Sequence, residues 1–237
     1  MATLQTLQDY LASMIREPYA QANKWTVPER LTWLNEGIKQ TAMLTKCNTA
    51  DDSIDTVSGT QAYTLNSTNL TYAAYDIDEE RGIIYTASGS NPVRLNRKFQ
   101  SELDRSSGDE DWYITTGAST SYMFNTRTKN LDVVPFPATS TNTGLKINYV
   151  YLPDDLENLT DTVDLPPELV YAPSCWAAWK LWEKRGKHAQ AQNFKKEFYE
   201  QIRFDKVSDA LGADSDFCMI GYTDDYGDKT DNYGDQR

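Results

Sequence analysis

The hydrophobic period of this chain changes twice along its length, and any fold must accommodate both changes. Apolar residues first recur at threes and fours: Leu4, Leu7, Leu11, Met14 and Ile15, then Leu31, Leu34, Ile38 and Ala42. That spacing places each set on one face of a helix. In the middle of the chain the period falls to two, most plainly where Leu145, Ile147, Tyr149 and Tyr151 alternate with Lys146 and Asn148. This is the pattern of a strand with one buried side. Beyond Pro173 helical spacing returns, through Trp176, Trp179 and Trp182 and then Ala191, Phe194, Phe198 and Ile202. Amphipathic helices and half-buried strands each need a partner layer. The pattern predicts an α+β chain, a helical body of about four helices with an inserted antiparallel β-sandwich or barrel domain and an extended C-terminal tail.

Local signals set the expected boundaries. The first helix covers residues 4–16 and stops at Pro18; the second opens at Thr26, Pro28 and Glu29, whose spacing fits a capping box. Residues 48–60 lose periodicity in a run of Asp, Ser and Thr and read as a linker. Strands are expected at 61–65, 82–86, 92–95, 111–116 and 121–126, with an exposed loop at 103–111. Residues 130–134 and 145–152 read as a hairpin around a polar loop, the first strand halted by Pro135 and Pro137. Pro153, Pro166 and Pro167 lead into a helix whose main body starts near Pro173. Gly186 separates it from a last helix at 187–211, and Gly212 fits its C-cap. The expected division is therefore 1–50, 51–160, 161–212 and 213–237.

Charge narrows the function. The formal net charge is −12, which argues against wrapping DNA or anionic membranes, because such binders neutralise phosphates with Lys and Arg. The charge is also uneven. Residues 213–237 carry seven Asp against Lys229 and Arg237, whereas residues 180–206 hold eight basic and four acidic residues. The tail contains an imperfect tandem repeat, TDDYGDK at 223–229 and TDNYGDQ at 230–236, with too little apolar surface to fold alone. With 6 Trp and 15 Tyr at a mean hydropathy of −0.65, many rings are expected at interfaces, as in an assembling protein. No apolar run approaches the roughly 18 to 20 residues of a membrane span, and the first helix lacks a basic leader, so a soluble protein made in a cytosol is expected. Cys47, Cys175 and Cys218 are odd in number and widely spaced, which fits neither a disulfide framework nor a zinc site.

Catalytic signals are sparse. A Ser-His-Asp or Cys-His site needs a histidine, and the single one, His188, sits beside Lys187 at a turn. The chain has no G-x-x-x-x-G-K-[ST] loop and no H-E-x-x-H. Asp76, Asp78 and Glu80 resemble the start of a calcium loop, but Gly82 falls one place late and Ala87 occupies the position of the bidentate Glu. Nothing marks out a carboxylate pair of the glycosidase kind among 35 acidic residues. The expectation is no enzyme, no metal and no cofactor. Trp176, Trp179 and Trp182 read as core or subunit contact in preference to a sugar-stacking platform. Tyr226, Gly227, Asp228, Tyr233, Gly234 and Asp235 read as a partner-docking segment, tyrosines as anchors and glycines allowing close backbone approach. The competing reading is a carboxylate-dependent glycan hydrolase or a carbohydrate-binding tail module.

The order of these parts resembles the head-to-tail adaptor, or head-completion, proteins of tailed bacteriophages, including the tubular tail proteins beneath the portal of short-tailed phages. The resemblance lies in LTWLNEGIKQTAM, TVSGTQAYTL, LDVVPFPATSTNTGLKINYVYLPDDL and LPPELVYAPSCWAAWKLWEKRG, and covers most of residues 25–212. It implies a virion structural protein of the phage neck or tail, made in the bacterial host cytoplasm. Its implied partners are the portal protein, tail or nozzle proteins, and further copies of itself in a twelve-fold ring. DNA would pass through the ring without specific binding, and no membrane is involved. The portal would be met by the C-terminal segment. An acidic lumen suits transit, since it repels phosphates across a Debye length of about 8 Å at physiological salt.

Overall fold

The computed structural model describes residues 2–17, 24–106 and 115–210. Helix α1 (Leu4–Ile15) is followed by α2 (Val27–Thr45). Each stops at a residue turned into the left-handed region, Arg16 with φ 53° and Lys46 with φ 52°. At the start of α2 the Thr26 hydroxyl accepts the Glu29 N–H at 3.4 Å. Glu29 does not reach back to complete the expected box; its carboxylate receives Lys184 Nζ at 2.6 Å instead. An ion pair elsewhere in the structure has outbid the local cap.

The apolar stripes of both helices meet as the periodicity requires. Leu4, Leu7, Leu11 and Ile15 of α1 and Leu34 and Ile38 of α2 are 0–1% exposed and share a core with Leu156, Val163, Val170, Ala177, Ala178 and Leu181 from the end of the chain. Backbone bonds tie the two ends together, Leu4 N–H to Asp161 O at 3.0 Å and Gln5 N–H to Leu159 O at 3.0 Å. The Arg30 guanidinium, 1% exposed, pairs with the Glu17 carboxylate at 3.0 Å between α1 and α2.

Between these helical parts the described residues form eleven strands. They are β1 (Thr49–Thr56), β2 (Ala62–Thr64), β3 (Ala74–Ile77), β4 (Ile83–Tyr85), β5 (Val93–Arg94), β6 (Asn96–Arg97), β7 (Thr116–Gly117), β8 (Ser121–Asn125), β9 (Asn130–Val134), β10 (Phe136–Pro137) and β11 (Thr141–Tyr151). One sheet runs β1-β11-β4-β5, with β3 pairing the same side of β11 as β4, farther along. A second runs β2-β9-β8-β6, and β7 pairs β10 alone. Most pairings are antiparallel; β6 with β8 and β7 with β10 are parallel. Both larger sheets supply one core, Leu145, Ile147, Tyr149, Ile83 and Tyr85 from the first and Tyr63, Leu131, Val133 and Tyr122 from the second. The chain is thus a mixed α/β protein; among the described residues it has five α-helices and no sheet closes into a barrel, which corrects that alternative.

Three further expectations are corrected. Residues 48–60 are not a linker: β1 pairs along β11 from Thr49↔Val150 to Ile54↔Leu145. It was hidden because it is an outer strand whose sequence, TADDSIDT, is mostly solvated. Residues 130–134 and 145–152 do not form a hairpin, because β9 pairs β2 and β8 whereas β11 lies in the other sheet. Both strands alternate because each lines the same core from opposite sides. The expected loop at 103–111 begins inside a short helix, α3 (Gln100–Ser106).

After a 3-10 turn at Pro167–Leu169 the chain ends in α4 (Ala172–Lys184) and α5 (His188–Ala210). Gly186 makes the turn between them with φ +69°, a backbone state that side-chain-bearing residues enter at a cost. A third core between these helices holds Cys175, Trp176, Trp179, Ala191, Phe198 and Ile202.

Candidate interaction surface

The tryptophans of α4 sit three apart, so they form a ridge along one side of the helix. Trp176 and Trp179 are each 8% exposed. Their rings meet edge to face at 4.8 Å, and Trp176 meets Phe198 of α5 at 5.1 Å. Trp182, half-buried, turns to Trp25 at 5.3 Å. A sugar platform presents an open ring face; these rings are spent on packing α4 against α5 and on Trp25. The indole N–H groups of all three are buried without an acceptor among the described residues. Burial and aromatic contact outweigh that loss of hydrogen bonding, about 1–3 kcal/mol per orphaned group.

Cations cover what remains of the ridge. Lys180 Nζ lies 4.1 Å from the Trp179 ring centre and 5.0 Å from that of Trp176; Lys195 of α5 approaches Trp179 at 5.2 Å. At the turn, Arg185 stacks over Trp25 at 4.5 Å and donates to the Lys24 carbonyl at 3.3 Å. Lys184, Arg185 and Lys187 are exposed. The α4–α5 hairpin therefore has an apolar, aromatic inside and a basic outside. The sequence showed the tryptophan spacing and the local excess of Lys, but not that residues 180 and 195, on different helices, converge on one ring.

Beneath this surface two groups are chemically silenced. Burial, the neighbouring Glu197 carboxylate outweighing the Tyr171 hydrogen bond, pushes the Cys175 thiol well above its ordinary range. Tyr171 is raised as well, by burial first and then by Cys175 and Glu197, whose carboxylate accepts its hydroxyl at 3.0 Å. Neither group suits nucleophilic chemistry.

The other sequence candidates are scattered. His188 is exposed at the start of α5. Asp76 pairs with Lys46 at 3.2 Å and Arg97 at 3.4 Å, while Asp78 accepts the N–H groups of Glu80 and Arg81 at 2.8 and 3.2 Å in a turn. Among the described residues no group of His, Cys, Asp and Glu could hold a metal. A recess of about 350 Å³ opens between the start of α3 and β8, and its lining contains one carboxylate, Asp132, beside Arg97, Lys98 and Phe99. Burial raises Asp132 above the usual carboxylate range. Glycoside hydrolysis needs two carboxylates, so the recess does not favour that chemistry. Tyr226, Gly227, Asp228, Tyr233, Gly234 and Asp235 lie outside the described residues. No described helix is long and apolar enough to cross a membrane.

Compared with known proteins, the chain matches the family model described as SU10 adaptor protein over residues 2–215. No curated protein matches it significantly.

Proposed function

The chain belongs to the SU10 adaptor protein family, a family of phage structural adaptors, and from that premise we propose that it is a head-to-tail connector. Copies would form a ring, twelve-fold as in adaptors of this kind, seated between the portal and the tail or nozzle proteins and lining the DNA channel. The observation that carries the reading is the family match, which spans the N-terminal helices, the whole β region and the α4–α5 hairpin. The net charge of −12 supports it, because it suits a conduit that must not hold phosphates. The role is structural, and its location is the virion.

Within this reading the chain divides into a helical body, residues 1–50 and 161–212, a β unit, residues 51–160, and a tail, residues 213–237. The tail would dock on the portal through Tyr226, Gly227 and Asp228 and through Tyr233, Gly234 and Asp235, each copy binding weakly and the ring multiplying the strength. Electron microscopy of the pure protein, alone and with portal, tests the ring. Twelve-fold annular particles that cap the portal are expected; a monomer with no affinity for portal or tail refutes the proposal. Deleting residues 213–237 should leave a folded protein that no longer completes particles, and normal particle yield would reduce the tail to a solubilising appendage.

A further inference from the structure

The hairpin tip is a positive island on an acidic protein. Residues 180–196 contain Lys180, Lys184, Arg185, Lys187, Lys195 and Lys196 against one carboxylate, Glu183. Nearby acids only partly balance it: Glu29 takes Lys184 at 2.6 Å, Glu183 lies 3.7 Å from Lys180, and Glu200 lies 3.6 Å from Lys196. Arg185 and Lys187 take part in none of these ion pairs, and Glu197, next along α5, is engaged by the Tyr171 hydroxyl. Such a surface fits an acidic partner, and exposed rings such as Tyr199, 43% exposed, add apolar footing. The chain itself contains a segment of that chemistry. Residues 213–237 have a net charge of −5, concentrated around the two Asp- and Tyr-bearing repeats at 223–236.

The lengths agree. Helix α5 has 23 residues, so its far end at Ala210 lies about 34 Å from the turn and about 22 Å from Lys195 and Lys196, at roughly 1.5 Å per residue. Tyr226 and Tyr233 follow Ala210 by about 16 and about 23 residues, and peptide linkers of those lengths have mean spans of about 20–24 Å and about 24–29 Å. Spans of that size match the distance to Lys195 and Lys196, and the turn about 34 Å away lies beyond the mean span but well within the extended length of the segment; tethering at millimolar effective concentration favours contacts that would be weak between separate molecules.

We propose that the basic tip of the α4–α5 hairpin is a docking surface for an acidic, tyrosine-bearing segment, and that its occupant in the free protein is the same chain's repeat, residues 223–236. This rests on the reading of the tail as a docking segment and deepens it: a partner that captures the tail must first draw it off the hairpin. Exposed pairs between Asp and Lys are individually weak, so the tail would be held loosely enough to release.

The test is zero-length carbodiimide cross-linking of the full chain, mixed from unlabelled and nitrogen-15-labelled protein and read by mass spectrometry. Links from Lys187 and Lys196 to Asp224, Asp225, Asp228, Asp231 or Asp235 are expected within single chains, with a yield independent of protein concentration. The yield should fall in about 1 M salt, where the Debye length is about 3 Å. Lys187→Glu should lower the yield read at Lys196, and Lys196→Glu the yield read at Lys187, each about threefold, since attraction becomes repulsion beside the amine that remains. Both side chains are exposed, and an unchanged thermal midpoint would show each variant folded; the salt series on the native chain makes the same test without substitution. Links spread equally over Lys39, Lys98 and Lys146, or found chiefly between isotopically different chains, overturn the proposal. So does a tail-deleted chain whose tip lysines bind duplex DNA at physiological salt, which would assign the tip to phosphates. Rings that form while cross-links scatter would remove this inference and leave the adaptor function standing.

Discussion

Replacing Gly37 by Ala should destabilise the protein, although the same change within an exposed helix stabilises by about 1 kcal/mol. Gly37 lies inside α2 where that helix crosses the first turn of α4. A Cβ there would stand 2.7 Å from the Pro173 carbonyl oxygen and 3.0 Å from its Cα. Both atoms are backbone, so no rotamer change relieves the clash. Ordinary contact requires about 0.7 Å more, and a gap of that size forfeits about a third of each contact's attraction along the seam. If the seam contains about 60 atom pairs worth about 0.15 kcal/mol each, the loss is about 3 kcal/mol. Subtracting the propensity gain leaves about 2 kcal/mol of net destabilisation, within the usual range for overpacking. For a chain of this size that corresponds to a fall in Tm of about 4–8 °C. Urea denaturation of Gly37→Ala against the parent measures it, with Thr32→Ala on the exposed side of the same helix as control, expected within about 0.5 kcal/mol. An alanine variant as stable as the parent would show that α2 and α4 do not approach this closely.

Further consequences can be measured on the same protein. Trp176→Ala or Trp179→Ala should cost about 3–5 kcal/mol of stability in denaturation experiments, as expected for a large ring removed from a core. Arg30→Ala should cost about 3–5 kcal/mol by stranding the buried Glu17 carboxylate, and Arg30→Met combined with Glu17→Leu should recover most of it. Burial acts to raise Asp52, but hydrogen bonds from Tyr149 Oη at 2.7 Å and from the Thr71 N–H and hydroxyl outweigh it and hold its carboxyl below the ordinary value. Its contribution is therefore fully present above about pH 4 and is lost as pH falls through the depressed value. The stability difference between the parent and Asp52→Asn should accordingly shrink under acid titration below pH ~4. Iodoacetamide should label Cys47, which is partly exposed, well before Cys175, which is buried and has a raised pKa; mass spectrometry of the native protein follows both.

The helices were legible because their signals are local. Leu4, Leu7 and Leu11 define a stripe without reference to anything distant, and Gly186 marks its turn by backbone conformation alone. The sheets were legible only in part, because alternation shows that a strand has a buried side and not which strand it meets. Val133 and Ile147 both alternate correctly and face each other across a core instead of along a ladder. β1 escaped notice since its inward positions, Ala50, Asp52 and Ile54, include an acid whose burial is compensated by Tyr149 and Thr71, residues 97 and 19 positions away. The tryptophan ridge of α4 was visible as spacing. The convergence of Lys180 and Lys195 on Trp179 was not, because it depends on the angle at which two helices pack.

The β region leaves and rejoins the helices through adjacent strands, with Thr49 opposite Val150 and the Tyr151 N–H bonded to Asn48 O at 3.0 Å. To the helices, then, some hundred residues of sheet amount to a loop whose ends are already pinned together. Were the sheets to melt, the same segment would become a floppy tether, and keeping its ends joined would cost about 4 kcal/mol of chain entropy, taken as (3/2)RT ln n for n of about 100. Each part thus acts as a clamp on the other: damage inside either sheet weakens α1, α2 and α4 without touching them, and the strand pair β1–β11 is the place where that coupling would be cut.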